Sequence, residues 1–129
     1  MELQVKQVPY GVADFAMVIE QNLYYVDKTM FIPELEKQPR NLFFIRPRRF
    51  GKSIFLSMLY SYYDCTQSHK FQSLFGNLWI GQHPTPLQGK YQVLFLDFSQ
   101  ITGNIDKLET KFNSYLSINL DAFVRQYSE

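Results

Sequence analysis

The sequence predicts an α/β fold with a parallel sheet, and three observations lead to this prediction. Residues 41–45 and 91–98 form two short, mainly apolar runs, a pattern typical of strands that are buried on both faces. A segment with helical spacing follows each run, and alternating strands and helices are the order of an α/β domain. The chain has 129 residues, a length that suits one domain with one core. We therefore expect both strands in one sheet, with a helix packed on its face.

The N-terminal part of the chain contains signals for two short helices. Asp14 is a candidate N-cap for the first helix, and a short β-prone run follows at residues 23–26. Asp27 and Thr29 are both candidate N-caps for the second helix. Because proline is tolerated in an α-helix only in the first turn, we expect Pro33 to lie there.

The remainder of the chain is dominated by two longer helical signals. Residues 51–63 form the first, shortly after the expected strand at residues 41–45. Residues 105–127 form the second, where apolar side chains recur at three- and four-residue steps and make one stripe. Between them, residues 71–79 are ambiguous, and two prolines and a glycine predict a loop at residues 83–89.

Composition and charge narrow the class of protein. Hydrophobic residues make up 46% of the chain, which indicates a folded protein rather than a disordered one. The net charge of +1 does not support a nucleic-acid partner, so such binding would depend on a local basic patch. Cys65 is the only cysteine, which excludes an intramolecular disulfide and fits a reducing compartment. Neither a membrane span nor a secretory signal is predicted, so we expect a cytoplasmic protein with no membrane partner.

The most informative segment is a candidate phosphate-binding loop at residues 46–53. Gly51-Lys52-Ser53 matches the second half of the P-loop pattern Gly-x-x-x-x-Gly-Lys-Ser/Thr, and it stands between an apolar run and a helical segment. A helix N-terminus attracts phosphate through its N–H groups and its dipole, and glycine lets the backbone approach closely. The lysine of this pattern reaches the β- and γ-phosphates, and the serine hydroxyl coordinates Mg²⁺. The sequence therefore predicts ATP binding with Mg²⁺, with Lys52 as the catalytic residue and Ser53 as a metal ligand.

One position departs from the P-loop pattern, because Arg46 stands where the first glycine would fall. The expected nucleotide-binding residues are Arg46, Pro47, Arg48, Arg49, Phe50, Gly51, Lys52, Ser53 and Ile54. Two other interpretations of the basic loop remain open. It could be an ordinary solvated turn. It could also bind a nucleic-acid backbone or an acidic protein partner, which would make the chain a non-catalytic binding module.

Residues 46–53, Arg-Pro-Arg-Arg-Phe-Gly-Lys-Ser, resemble the phosphate loop of the bacterial AAA-ATPase-like family, in which the first glycine is also absent. Residues 24–29 resemble the Tyr-Val-Asp-Lys-Thr signature of that family. Further similarity to blocks of the family lies at residues 8–11, 74–80 and 93–99. The resemblance implies that residues 1–129 are the N-terminal part of a three-layer, P-loop NTPase-like ATPase domain. In relatives the chain continues to a strand that ends in Asp-Glu, and often to a PD-(D/E)XK-type nuclease domain.

ATP hydrolysis on a P-loop needs a further acid, which lies at the end of another strand and helps to hold Mg²⁺. Asp97 is the only acid that ends an apolar run in this chain, and Phe98 follows it instead of a second acid. We interpret Asp97 as a capping or turn residue, with a role at Mg²⁺ as the alternative. The chain is therefore expected to be ATPase-like, and weakly active or inactive on its own.

The resemblance also predicts the effect of lacking the strands that come later in the family's domain. We expect an exposed apolar surface, and either self-association or contact with a missing C-terminal domain. A third hypothesis is a truncated structural remnant with a degenerate site, although the intact Gly51-Lys52-Ser53 counts against it.

The other candidate residues favour structural roles. Tyr25 and Val26 are interpreted as core residues, and contact with adenine is the alternative because this segment often lies near the base in related ATPases. His69 and His83 lack the spacing of metal ligands. Neither a metal role for these histidines nor a catalytic thiol at Cys65 is expected.

Overall fold

A computed structural model of the protein describes residues 5–43, 45 and 51–128. Its α-helices are α1 (Phe15–Glu20), α2 (Ile32–Glu36), α3 (Lys52–Tyr63), α4 (Phe71–Phe75), α5 (Trp79–Gln82) and α6 (Ile105–Tyr127). Short 3₁₀ turns lie at Thr29–Phe31, Cys65–Lys70 and Phe98–Gln100. Within the described ranges no strand is formed, and β-structure is limited to one isolated parallel bridge between Asp64 and Tyr91.

The predicted α/β fold with a parallel sheet is therefore wrong for the part of the chain that the structure describes, which is mainly helical. In the first expected strand, residues 41–45, Phe44 lies outside the described residues, and the other positions have no strand backbone. Phe43 and Ile45 are 90% and 78% exposed. An apolar run becomes a buried strand only when a neighbouring strand pairs with it, and the described residues supply none. The β-prone run at residues 23–26 forms no strand either.

In the second expected strand, backbone groups hydrogen-bond to tyrosine side chains of α6 instead of to another strand. The N–H of Val93 donates to the Tyr127 hydroxyl at 3.3 Å, and the N–H of Asp97 donates to the Tyr115 hydroxyl at 2.6 Å. In a sheet these N–H groups would be ladder donors. The sequence pattern could not reveal this arrangement, because it records which side chains are apolar and not which groups satisfy the backbone.

The chain divides into two compact units, Met1–Tyr91 and Gln92–Glu129. The first unit contains α1 to α5, and each of these helices contributes to a core whose fully buried members include Phe15, Ile32, Met58, Tyr62, Phe75 and Ile80. Rings are prominent in this core, and aromatic residues make up 17% of the chain. Phe15 stacks on Phe75 with ring centroids 5.0 Å apart, and Tyr62 meets Phe75 edge-on at 5.6 Å.

The starts of the short helices follow the sequence signals in part. Asp14 caps α1 by accepting a hydrogen bond at 3.3 Å from a backbone N–H of its first turn, and Pro33 lies in the first turn of α2. Both predictions are confirmed. Helix α2 begins without a side-chain cap, so neither Asp27 nor Thr29 caps it. These two residues instead accept hydrogen bonds from the backbone N–H groups at the start of α5.

Both long helices that the periodicity predicts, at residues 51–63 and 105–127, are confirmed as α3 and α6. Helix α6 is the main element of the second unit. Its apolar stripe packs against rings of the preceding segment, and Phe98 lies 5.5 Å from Phe112 between ring centroids. The predicted loop at residues 83–89 is also present.

Several apolar side chains of α6 are exposed, as the resemblance led us to expect. Ile105, Ile118 and Val124 are 88%, 68% and 62% exposed, and no described side chain of α6 is buried.

In the described part of the chain, none of the helices is both long and apolar enough to cross a membrane.

Candidate functional site

The candidate phosphate loop enters α3 through Gly51. This residue has a φ of +77°, in the left-handed region that glycine adopts without a steric penalty. Helix α3 begins at Lys52, and the N–H of Phe55 donates to the carbonyl of Gly51 at 2.9 Å. The N–H groups of Lys52, Ser53 and Ile54 therefore belong to the N-terminal turn, where a helix offers its own backbone no acceptor.

The lysine and serine of the motif are open to solvent. Lys52 and Ser53 are exposed, whereas Ile54 is half-buried and Phe55 is buried in the core. No hydrogen bond or ion pair joins the Lys52 or Ser53 side chain to another residue that the structure describes. The remaining predicted contacts lie outside the described residues; they are Arg46, Pro47, Arg48, Arg49 and Phe50.

A cleft of about 320 Å³ lies beside the start of α3. It is lined by Val8, Pro9, Tyr24, Tyr25, Val26, Lys28, Gly51, Ile54 and Phe55. These described residues are mainly apolar and aromatic and include one ammonium group, which is the usual character of a small-molecule pocket. The structure thus brings two of the predicted site residues, Gly51 and Ile54, together with the Tyr25-Val26 segment.

Among the lining residues that the structure describes, Lys28 is the one that carries a charge. A β-carbon built on Gly51 would lie 3.4 Å from Lys28 Nζ, so the ammonium group lies against the backbone where α3 starts. Sequence reasoning missed this residue as part of the site. Its position between Asp27 and Thr29, whose short polar side chains readily bind backbone N–H groups, indicates an anchored backbone, but no local pattern connects Lys28 with Gly51.

Asp27 and Thr29 form a hydrogen-bonded connection to the start of α5, here called the Asp27–Thr29 clasp. The Asp27 Oδ1 atom accepts from the N–H and the hydroxyl of Thr29 at 2.9 and 2.6 Å. The Asp27 Oδ2 atom accepts from the N–H of Trp79 at 2.8 Å, and the Thr29 hydroxyl accepts from the N–H of Ile80 at 3.1 Å. Thr29 is fully buried, so the clasp fixes the backbone on both sides of Lys28.

Tyr25 takes part in both the core and the cleft. Its ring meets Phe15 edge-on with centroids 5.2 Å apart, and it also lines the cleft. Burial raises the pKa of Tyr25 to about 12, and the nearby Asp27 carboxylate acts in the same direction, whereas a hydrogen bond from the Lys28 backbone opposes both. The core interpretation is thus confirmed for Tyr25. It is wrong for Val26, which is 55% exposed.

Asp97, the candidate for a second acid, caps a turn. Its Oδ1 atom accepts hydrogen bonds from the hydroxyl and the N–H of Ser99, at 2.6 and 3.0 Å, where the Phe98–Gln100 turn begins. The bond from the hydroxyl and then the bond from the N–H hold the pKa of the Asp97 carboxyl below its ordinary value. The capping interpretation of Asp97 is confirmed.

In the described part of the chain, no three or more His, Cys, Asp or Glu side chains form a group that could hold a metal ion. His83 is exposed and stacks on Trp79 with ring centroids 4.5 Å apart, and His69 is exposed as well. A magnesium ion that arrives with a nucleotide needs few protein ligands, because phosphate oxygens and water fill most of its shell. The exposed hydroxyl of Ser53, in the first turn of α3, fits that limited role.

Comparisons with known proteins agree with the resemblance in the sequence. The model of a family described as Predicted AAA-ATPase matches residues 9–129. A segment of 55 residues, 42% of this chain, is 49% identical to a protein from Azotobacter chroococcum mcd 1 described as "Uncharacterized protein in vnfD 5'region". That segment corresponds to 11% of the relative's length, so this chain matches only a small part of it. No solved protein structure matches the chain.

Proposed function

We propose that this chain, which belongs to the predicted AAA-ATPase family, binds Mg·ATP at the start of α3. The observation that carries the proposal is the conformation of Gly51, whose left-handed backbone leads into a helix that begins with Lys52 and Ser53. Glycine, lysine and serine in this order at a helix start are the second half of a P-loop. The description of the family supports ATP as the nucleotide.

In this proposal the phosphates bind to the N-terminal turn of α3. The N–H groups of Lys52, Ser53 and Ile54 donate to phosphate oxygens, and the positive end of the helix dipole favours the negative charge. The Lys52 ammonium group neutralises charge on the β- and γ-phosphates. The other proposed contacts are those of Arg46, Pro47, Arg48, Arg49 and Phe50, whose arginines add positive charge around the phosphates.

The Ser53 hydroxyl would hold Mg²⁺ together with phosphate oxygens and water. When it is bound, the ion neutralises charge on the phosphates during phosphoryl transfer. The chain's own contribution is to position the nucleotide. The N–H groups of the backbone after Gly51 hold the phosphates. The Lys52 side chain is exposed, so its ammonium group can move to contact the phosphates as they bind.

The apolar cleft beside α3 suits the nucleoside part of ATP. Tyr24, Tyr25 and Val26 lie in its lining, and aromatic and aliphatic side chains bind a planar base through stacking and apolar contact. Its volume of about 320 Å³ is at the small end of the range for ligand pockets, which suits a single base better than a whole nucleotide.

We further propose that residues 1–129 are the N-terminal part of a larger ATPase. The match to only 11% of the relative's length supports this view. Asp97 is occupied as a turn cap, so the described residues offer no evident second acid for hydrolysis. The chain alone is therefore proposed to bind ATP and to hydrolyse it slowly.

Titration calorimetry with Mg·ATP tests the binding proposal. The full chain should bind Mg·ATP, and Lys52→Ala should bind at least about tenfold more weakly, because a charge-assisted contact to phosphate is lost. Lys90→Ala is the matched control, since Lys90 is exposed and does not line the cleft. Equal affinities of the wild type and Lys52→Ala would contradict the proposal. Binding of single-stranded DNA or an acidic peptide without any binding of ATP would favour the binding-module hypothesis.

A further inference from the structure

We propose that Lys28 is a second phosphate-binding lysine of this site, held beside Gly51 by the Asp27–Thr29 clasp. The inference rests on the proposed nucleotide binding and adds a residue that the Gly-Lys-Ser motif does not contain. Lys28 lies 23 positions before Gly51 in the chain (51 minus 28), so only the fold brings the two together.

The position of the ammonium group carries the inference. Lys28 Nζ lies 3.4 Å from the place of a β-carbon on Gly51, which is the residue that ends the phosphate loop and starts α3. The same side chain lines the cleft that we propose for the nucleoside. Phosphates between the cleft and the N-terminal turn of α3 would therefore pass close to this charge.

The charge of Lys28 is not neutralised by an ion pair within the part of the chain that the structure describes. The nearest acid in sequence, Asp27, already accepts hydrogen bonds through both carboxylate oxygens, from Thr29 and from Trp79. Lys28 is half-buried, and a partly desolvated ammonium group favours an anionic partner. A nucleotide phosphate would supply one.

The clasp anchors the backbone that carries the Lys28 side chain. A lysine side chain is flexible, and fixing its backbone reduces the entropy that is lost when it binds an anion. Here the residues on both sides are tied to the start of α5, and the backbone of Lys28 itself donates a hydrogen bond to Tyr25. The segment Asp-Lys-Thr thus combines two anchoring residues with one functional cation.

Two lysines at the phosphates should make the site selective for polyphosphates. Each charge adds to the binding of ATP and ADP, whereas neutral adenosine gains nothing from either. Loss of Lys28 should therefore weaken ATP binding and reduce its salt dependence, because fewer ionic contacts form.

Calorimetry on the full chain with Mg·ATP tests the inference with four proteins: wild type, Lys28→Met, Lys52→Ala and Lys90→Met. Methionine keeps much of the length of the lysine stem and removes the charge, and Lys90→Met repeats that change at an exposed position outside the cleft. We expect Lys28→Met to bind about tenfold more weakly than wild type and with a smaller salt dependence. Lys28→Arg, which keeps the charge, should lose less affinity than Lys28→Met, and Lys90→Met should equal wild type.

The outcomes separate the two proposals. If wild type binds ATP and Lys52→Ala weakens it while Lys28→Met binds normally, the role of Lys28 is refuted and the nucleotide site stands. If wild type does not bind ATP, both proposals are refuted. Thermal unfolding checks that each variant is folded, and Lys28→Gln takes the place of Lys28→Met if the methionine variant does not fold.

Discussion

Asp27 accepts a hydrogen bond from the backbone N–H of Trp79 at 2.8 Å, although 52 positions separate these residues in the sequence. The contact joins the segment before α2 to the start of α5. It is part of the Asp27–Thr29 clasp, in which the buried Thr29 hydroxyl also binds the N–H of Ile80. Thr29 is therefore accommodated beside a largely aromatic core because it and Asp27 satisfy the first N–H groups of a short helix.

Thr29→Val should destabilise the first unit, because it keeps the volume of the side chain and removes the hydroxyl. That hydroxyl donates to Asp27 at 2.6 Å and accepts from Ile80 at 3.1 Å, and Thr29 is fully buried. We expect the free energy of unfolding in urea to fall by about 1–3 kcal/mol. Thr29→Ser keeps the hydroxyl and should lose clearly less. If the valine variant is as stable as wild type, the hydrogen bonds of the Thr29 hydroxyl contribute nothing to stability.

Gly51→Ala should impair ATP binding, and Gly11→Ala separates this effect from backbone strain. The two glycines have φ angles of +77° and +69°, so a β-carbon at either position is disfavoured by about 1–2 kcal/mol. Only the methyl group at position 51 would approach Lys28 Nζ, whereas the one at position 11 would meet nothing within 4 Å. Both variants should lose stability, and only Gly51→Ala should also bind ATP more weakly in calorimetry. Equal ATP affinity of the two variants would contradict this account of Gly51.

Ser99→Ala should raise the pKa of Asp97 toward its ordinary value, because the hydroxyl of Ser99 is the main cause of the lowered pKa. With a lowered folded-state pKa, the ionised carboxyl stabilises the fold above the unfolded-state pKa of about 3.9. That stabilisation disappears as the pH falls through the folded-state value. Titration of the carboxyl ¹³C signal by NMR measures the change, with Ser117→Ala as the control. An unchanged Asp97 titration in Ser99→Ala would exclude the proposed cause.

ATP turnover by the isolated chain should be far below the rate of about one per second that is typical of competent enzymes. Positioning and charge stabilisation provide most of the catalysis in phosphoryl transfer, and Asp97 is engaged as a cap instead of lying free for a metal. A phosphate-release assay measures the rate. Turnover near one per second that disappears in both Lys52→Ala and Asp97→Ala would show that Asp97 is the missing acid.

The helices of this protein are largely predictable from its sequence, because their signals are local. The cap at Asp14, the place of Pro33 in a first turn and the apolar stripe of residues 105–127 each depend on residues within a few positions of one another. The sheet was predicted wrongly because strand pairing is not local. The tyrosine hydroxyls that hydrogen-bond to Val93 and Asp97 come from a helix later in the chain, and no pattern within the apolar run records them.

The candidate site was predictable only in its local part. Gly51-Lys52-Ser53 can be recognised because its residues are consecutive in the sequence, and the structure places them at a helix start. Lys28 could not be assigned to the site in the same way, because its proximity to Gly51 depends on how α3 packs against the segment before α2. The clasp that fixes it likewise joins residues that are 51 and 52 positions apart.

The most direct test of the central claim, that ATP binds at the start of α3, is an amide NMR titration of the ¹⁵N-labelled chain with Mg·ATP. We predict saturable shifts of the Gly51, Lys52, Ser53 and Ile54 signals, with smaller shifts for the cleft residues near Lys28. In Lys52→Ala, the shifts of the Gly51, Ser53 and Ile54 signals should be clearly smaller at the same subsaturating ATP concentration. The signal of Lys90, an exposed residue of the first unit that does not line the cleft, should not move. The absence of any saturable shift at residues 51–54 in the wild type, or shifts confined to other parts of the chain, would contradict the account.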